Sequence, residues 1–172
     1  MIGFDEKSIE KTDLDGVFKI KLEKFFDDRG FVLNIYKNNT LHFNQEKLTV
    51  SKKNVLRGLH SDTVNDKLIY CLRGSFKLVV VNFIEGSDQY MRKTEFLMNE
   101  ESNYAVFVPK NFLNGHYCLE DNTYFYYKWS SGYVMPDEQI SVNWSSPSLS
   151  IDWGLLEKEP ILSDRDRAAI IL

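Results

Sequence analysis

Short runs of β-branched and aromatic residues recur along the chain, separated by clusters of Gly, Pro, Asn, Asp and Ser, which is the pattern of a β sandwich or barrel. It predicts strands over 17–22, 31–36, 48–51, 67–72, 75–82, 93–98, 104–108, 114–120 and 123–129. Between them lie Asp27-Asp28-Arg29-Gly30, Arg73-Gly74, Glu85-Gly86-Ser87, Pro109-Lys110-Asn111 and Glu120-Asp121-Asn122, all of which carry turn chemistry. The tight Leu72-Arg73-Gly74-Ser75 turn joins two strands into a hairpin, and its second arm ends in Leu78-Val79-Val80-Val81, which belongs in the interior of a sandwich. After Ser131 the strand periodicity fades and Pro136, Pro147 and Pro160 appear, so this tail is expected to wrap the barrel. A short helix over 163–170 should close it, with Ser163 as N-cap and Asp164 and Asp166 in the first turn.

Length and composition agree with that pattern. A chain of 172 residues suits one core, so residues 1–172 read as a single domain, and the 14% aromatic content, with nine Tyr and twelve Phe, favours strands over helix bundles. The net charge of −4 is spread along the chain without a basic stripe, which excludes nucleic acid as the expected partner. No apolar run approaches the roughly 20 residues that span a bilayer, and the opening MIGFDEKSIEKTD carries no apolar leader, so no membrane association and a cytoplasmic location are expected. Cys71 and Cys118 lie in apolar, strand-like surroundings without metal-ligand spacing and read as reduced core residues.

Only three histidines are present, His42, His60 and His116. Gly58-Leu59-His60-Ser61-Asp62 lacks a second histidine at a metal-binding offset, so no metal is expected, although His116 could in principle meet His60 across a barrel. Arg57 and His60 lie three apart around a glycine, pairing an anion-binding group with a general base. The plainer reading makes His60 a hydrogen-bonded core histidine and Arg57 a surface cation. Over 123–129 the side chains alternate, so Phe125, Tyr127 and Trp129 share one aromatic face and Tyr124, Tyr126 and Lys128 share the other. A buried phenol there can donate a proton or simply pack.

The order of motifs resembles the dTDP-4-dehydrorhamnose 3,5-epimerase family over most of the chain. Asp27-Asp28-Arg29-Gly30 is similar to its D-x-R-G element, Val55-Leu56-Arg57-Gly58-Leu59-His60 to V-L-R-G-L-H, and Lys67-Leu68 with Arg73-Gly74 to its K-L hairpin. Val108-Pro109-Lys110-Asn111-Phe112 and Leu162-Ser163-Asp164-Arg165-Asp166 are similar to I-P-x-G-F and to the closing L-S-x-K-D. The resemblance implies an antiparallel double-stranded β-helix, a cupin-like jelly roll. It also implies epimerisation of a nucleotide-diphospho-4-keto sugar without a cofactor. His60 would be the base, Asp166 its orienting partner, Lys67 the enolate-stabilising cation and Tyr127 the acid on the opposite face. Inversion beside a carbonyl needs such a base, acid and oxyanion site and no redox group. Arg29, Arg57, Gln45, Lys47, Asn114, His116 and Tyr133 would contact the substrate, and a homodimer that exchanges its N-terminal segment is implied.

Several positions depart from the family pattern. Asn114 stands where A-H-G-F has its histidine, Asn34 replaces a glutamate, Lys47 replaces an asparagine, and the interval from His60 to Lys67 is short. Gln45-Glu46-Lys47, His60-Ser61-Asp62 and Asn114-Gly115-His116-Tyr117 look more like the branch acting on GDP-linked 4-keto heptoses for capsules, which makes a GDP-4-keto heptose or deoxyhexose the preferred expectation ahead of a dTDP-linked sugar. A 3,4-ketoisomerase, or a jelly roll that binds nucleotide sugars without turnover, are the other readings.

Overall fold

The computed structural model describes residues 5–37, 41–156 and 159–172. Among the described residues thirteen strands form in chain order, and all the pairings between them are antiparallel. One sheet has six strands in the order β1 (Ile9–Lys11), β2 (Phe18–Lys21), β10 (Tyr104–Val108), β7 (Lys67–Arg73), β12 (Thr123–Trp129) and β5 (Gln45–Ser51). The facing sheet has five, in the order β13 (Ile140–Ser141), β6 (Leu56–Ser61), β11 (Phe112–Cys118), β8 (Ser75–Asn82) and β9 (Lys93–Asn99). A separate hairpin pairs β3 (Glu23–Asp27) with β4 (Gly30–Asn34), and the helix α1 (Asp164–Arg167) follows near the C-terminus.

Alternation along each strand sorts the apolar residues into three layers. Ile69 and Cys71 of β7, Phe76, Leu78 and Val80 of β8 and Phe125 of β12 meet between the sheets, with Leu14, Val17 and Phe112. The opposite face of β8, Val79 and Val81, packs with Leu56, Leu59, Leu113 and Tyr117 beneath Val142, Leu149 and Trp153 of the C-terminal tail. Leu68 and Tyr70 point out of the six-stranded sheet and are covered by Ile20, Leu22 and Phe107, with Leu33 and Phe43 alongside. The all-apolar arm of the central hairpin is therefore buried on both faces, and the tail wraps the sandwich as its prolines and lost periodicity suggest. Both cysteines are free and buried, and burial pushes the Cys71 thiol up to about 12.

The helix is shorter than the predicted 163–170, ending after one turn because Ala168 leaves helical geometry. The last β strand of the five-stranded sheet's centre starts at Phe112, two residues before the expected 114, because Asn111 takes a positive φ of 66° and ends the preceding turn. Strands β1, β3, β6 and β13 were not expected from the pattern. Of the N-terminal segment expected to exchange between subunits, residues 1–4 lie outside the described residues.

Candidate active site

Strand β6 reaches the interior by breaking alternation. Arg57 and His60 are three apart, so a regular strand would aim them at opposite faces. In the register with β11, His60 lies opposite Asn114 and Arg57 opposite His116, so three residues of β6 span two of β11. This bulge puts both side chains on the inner face while Leu56 and Leu59 remain in the outer layer. Glycine is required here: at Gly58 φ is +120°, and a Cβ would lie 2.6 Å from the Gly115 Cα and 2.8 Å from the Asn114 carbonyl oxygen. The two strands touch backbone to backbone at that point, which fixes where the His60 imidazole emerges.

His60 Nε2 sits 2.6 Å from Asp166 Oδ1. Ser163, the N-cap of α1, locks that carboxylate, since its hydroxyl donates to Asp166 Oδ2 at 2.9 Å and accepts from the Asp166 backbone N–H at 3.1 Å. Burial works to raise the Asp166 pKa, but hydrogen bonds from His60, Ser163 and the Gly58 backbone outweigh it and hold the carboxyl below its ordinary value. Asp166 is therefore an anion at neutral pH. Nε2 then carries the shared proton and donates to it, which leaves Nδ1 as the basic nitrogen.

Inward-facing residues of β12, β5 and β7 close the other side. Tyr127 lies between Phe125 and Trp129, with ring centroids 5.1 and 6.0 Å away. Burial raises its pKa, so the phenol keeps its proton. Lys67, opposite Trp129 in the sheet register, is 4% exposed and pairs with the equally buried Asp62 at 3.1 Å. Burial lowers the Lys67 pKa and Asp62 opposes that shift. Asp62 is itself fixed by the backbone N–H groups of Val64 and Asn65, at 3.1 and 2.6 Å from Oδ1. Lys47 of β5 lies over the rings of Trp129 at 3.5 Å, Tyr133 at 4.5 Å and Tyr127 at 5.9 Å, a cationic head held by three aromatic faces.

These groups line one cavity of about 300 Å³. Nine of the expected residues are brought together there: His60, Tyr127, Lys67, Asp166, Arg57, Lys47, Asn114, His116 and Tyr133. Two are not. Gln45 stands at the end of β5 opposite Trp129 and does not line the cavity. Arg29 sits at the tip of the β3–β4 hairpin, 89% exposed and bonded to Asp27 at 2.6 Å. That hairpin pairs with neither main sheet, and Arg29 does not line the cavity of its own chain.

Thr49, Trp129, Gln139, Ser163 and Arg165 line the cavity although none was expected as a site residue, and Asp62 supports it from behind. Arg165 is held there by Ser141 Oγ at 3.0 Å and Gln139 Oε1 at 3.3 Å. Thr49 was recoverable from alternation once Lys47 faced inward; Asp62 carries no such signal, because its role depends on a loop geometry. Among the described residues no group of three or more His, Cys, Asp or Glu could hold a metal ion, and no helix is long and apolar enough to cross a membrane. A base oriented by a carboxylate, a protonated phenol and a buried ammonium facing one space can remove, hold and return a proton beside a carbonyl.

Known proteins carry the same arrangement of chain. The family model for dTDP-4-dehydrorhamnose 3,5-epimerase matches residues 11–172. The epimerase of that name from Methanothermobacter thermautotrophicus is 32% identical over 167 residues, covering 91% of this chain and 90% of its own. The solved epimerase of Mycobacterium tuberculosis superposes with a TM-score of 0.89 at 29% identity, over 94% of this chain and 86% of that one. An epimerase of Legionella pneumophila, solved in complex with dTDP-4-keto-L-rhamnose, gives a TM-score of 0.87 at 30% identity, over 94% and 90%. Sequence, cupin-like all-β fold and cavity thus converge: this chain belongs to the dTDP-4-dehydrorhamnose 3,5-epimerase family and is an epimerase of nucleotide-linked 4-keto sugars.

Proposed function

We propose that this enzyme inverts C3, C5 or both of a dTDP-4-keto-6-deoxyhexose by proton removal, enolate formation and reprotonation on the opposite face. His60 Nδ1 takes the proton next to the ketone, Asp166 steadies the imidazolium that results, and the Lys67 ammonium holds the enolate oxygen. Tyr127 then delivers its phenolic proton from the other side; the imidazolium releases its proton to solvent and the phenolate takes one back, so each turnover closes with a net change of configuration alone. The observation that carries this reading is the 2.6 Å His60–Asp166 contact opening onto the same cavity as Tyr127 and Lys67. Arg57, exposed at the cavity mouth, and the half-buried Lys47 suit the diphosphate.

The choice of thymine rests on the relatives, which are dTDP-sugar epimerases. They lend no support to the guanine nucleotide and heptose expected from the segments around Lys47, His60 and Asn114. The test is to incubate the enzyme with dTDP- and GDP-linked 4-keto sugars in D₂O and follow C3 and C5 by NMR. Deuterium should enter the dTDP-linked sugar with inversion. A moved carbonyl would indicate ketoisomerisation, and no exchange in either nucleotide series would defeat the proposal.

The working form is proposed to be a cytoplasmic homodimer, with Arg29 reaching the partner's site. Phe25, Phe26, Phe31 and Val32 on the β3–β4 hairpin, and Leu48 and Val50 on the edge strand β5, are all half or more exposed, which is unusual for strands of a monomer. A second copy that covers this face brings the displaced arginine with it. Light scattering should give about twice the 20.1 kDa chain mass, and Phe26→Asp with Phe31→Asp should give the monomer. A monomeric wild type contradicts the dimer.

A further inference from the structure

The cavity holds polar atoms that nothing in the protein satisfies. Among the described residues, Thr49 Oγ1, Asn114 Oδ1, His116 Nε2 and Trp129 Nε1 are buried without a hydrogen-bond partner, and all four residues line the cavity. A buried polar atom left alone is costly, and several in one space mean that an occupant completes them. Their chemistry describes that occupant. The indole can only donate, the hydroxyl and imidazole can do either, and the amide oxygen accepts. A ring bearing several hydroxyl groups satisfies all of them, whereas a phosphate offers no donor to the amide oxygen.

Depth sets His116 apart from Arg57, its neighbour in the register. Arg57 is exposed at the mouth, while His116 is 5% exposed, stacked flat on Phe125 at 3.9 Å and 8° and tilted against Phe76 at 5.5 Å. Thr49 lies opposite Phe125 in the sheet register, so the threonine and histidine flank one aromatic floor. Burial, with Arg57 and His60 nearby, pushes the His116 pKa down to about 3, against a smaller opposing pull from Asp166. The imidazole is therefore neutral wherever the enzyme works, a hydrogen-bonding group and not a proton carrier.

We propose that Thr49, Asn114 and His116 form a neutral hydrogen-bonding wall that reads the hydroxyl groups of the sugar ring, with His116 as a specificity-determining residue. This rests on the nucleotide-sugar reading above and deepens it. The wall leaves the nucleotide untouched, and it takes no part in the proton transfers of His60 and Tyr127.

Calorimetric titration with dTDP and with dTDP-glucose separates the two halves of the ligand. His116→Phe keeps a ring to stack on Phe125, and Thr49→Val on a different strand provides an independent variant. Each should weaken dTDP-glucose roughly 10-fold while leaving dTDP unchanged, and the pH dependence of kcat in His116→Phe should keep its wild-type shape. Equal losses on both ligands, no loss on either, or a lost limb in the pH profile would overturn the proposal. Normal wild-type binding of dTDP with no gain from the attached glucose would also overturn it. Wild type that binds neither ligand would instead overturn the dTDP reading on which it rests.

Discussion

His60→Ala and Tyr127→Phe should each lower kcat by about 10³-fold, within the range expected for loss of a positioned base or acid, and leave the fold intact. The fold survives because neither side chain carries much of the core. Without His60, Asp166 keeps the Ser163 hydroxyl and the Gly58 backbone as partners. Phenylalanine at 127 keeps the ring contacts to Phe125 and Trp129 and loses only the hydroxyl. Steady-state kinetics with circular dichroism and thermal melting check both halves. Near-normal rates in both variants would show that the acid and base have been misassigned.

Asp62→Asn is expected to slow turnover as well, by less, without touching substrate. The amide keeps an oxygen for the Val64 and Asn65 N–H groups, so the loop geometry holds, but the counter-charge 3.1 Å from Lys67 disappears. Burial already lowers the Lys67 pKa, and Asp62 supplies the largest opposing effect. Removing it moves the pKa further down. The ammonium exists below that pKa and the amine above it, so at neutral pH the variant carries less of the charged form. Losing oxyanion stabilisation of this kind costs roughly 10²-fold in kcat. The loss should shrink as pH is lowered. A kcat deficit independent of pH would mean that Asp62 acts on structure alone.

What could be read in the sequence follows from how local the cause is. Strands β8, β10 and β12 occur at the bounds that alternation predicts, because each is set by its own side chains against a formed core. Strand β6 was hidden because its bulge breaks the period of two, and only the tertiary approach of Gly58 to Gly115 explains it. Strand β3 was hidden for the opposite reason: Phe25 and Phe26 are both exposed, so no buried face imposes a pattern. That His60, Tyr127, Lys67 and Asp166 meet in one cavity was legible through the family's motifs. Their supporting partners were not. Asp62 sits beside His60 in sequence, yet its function is defined by a lysine five positions on, folded back beside it in the interior. His116 was expected to contact substrate, but its setting was not legible, since only the structure shows the ring stacked on Phe125 with an unpartnered nitrogen.

The division of labour across the sugar can be measured directly by following solvent deuterium into the substrate, by NMR, with each single variant. Tyr127→Phe retains the base and should wash deuterium into the carbon beside the ketone with its configuration kept. His60→Ala lacks the base and should leave that proton in place. Exchange by His60→Ala at the wild-type rate, or inversion by Tyr127→Phe at the wild-type rate, would contradict proton removal by the imidazole and return by the phenol.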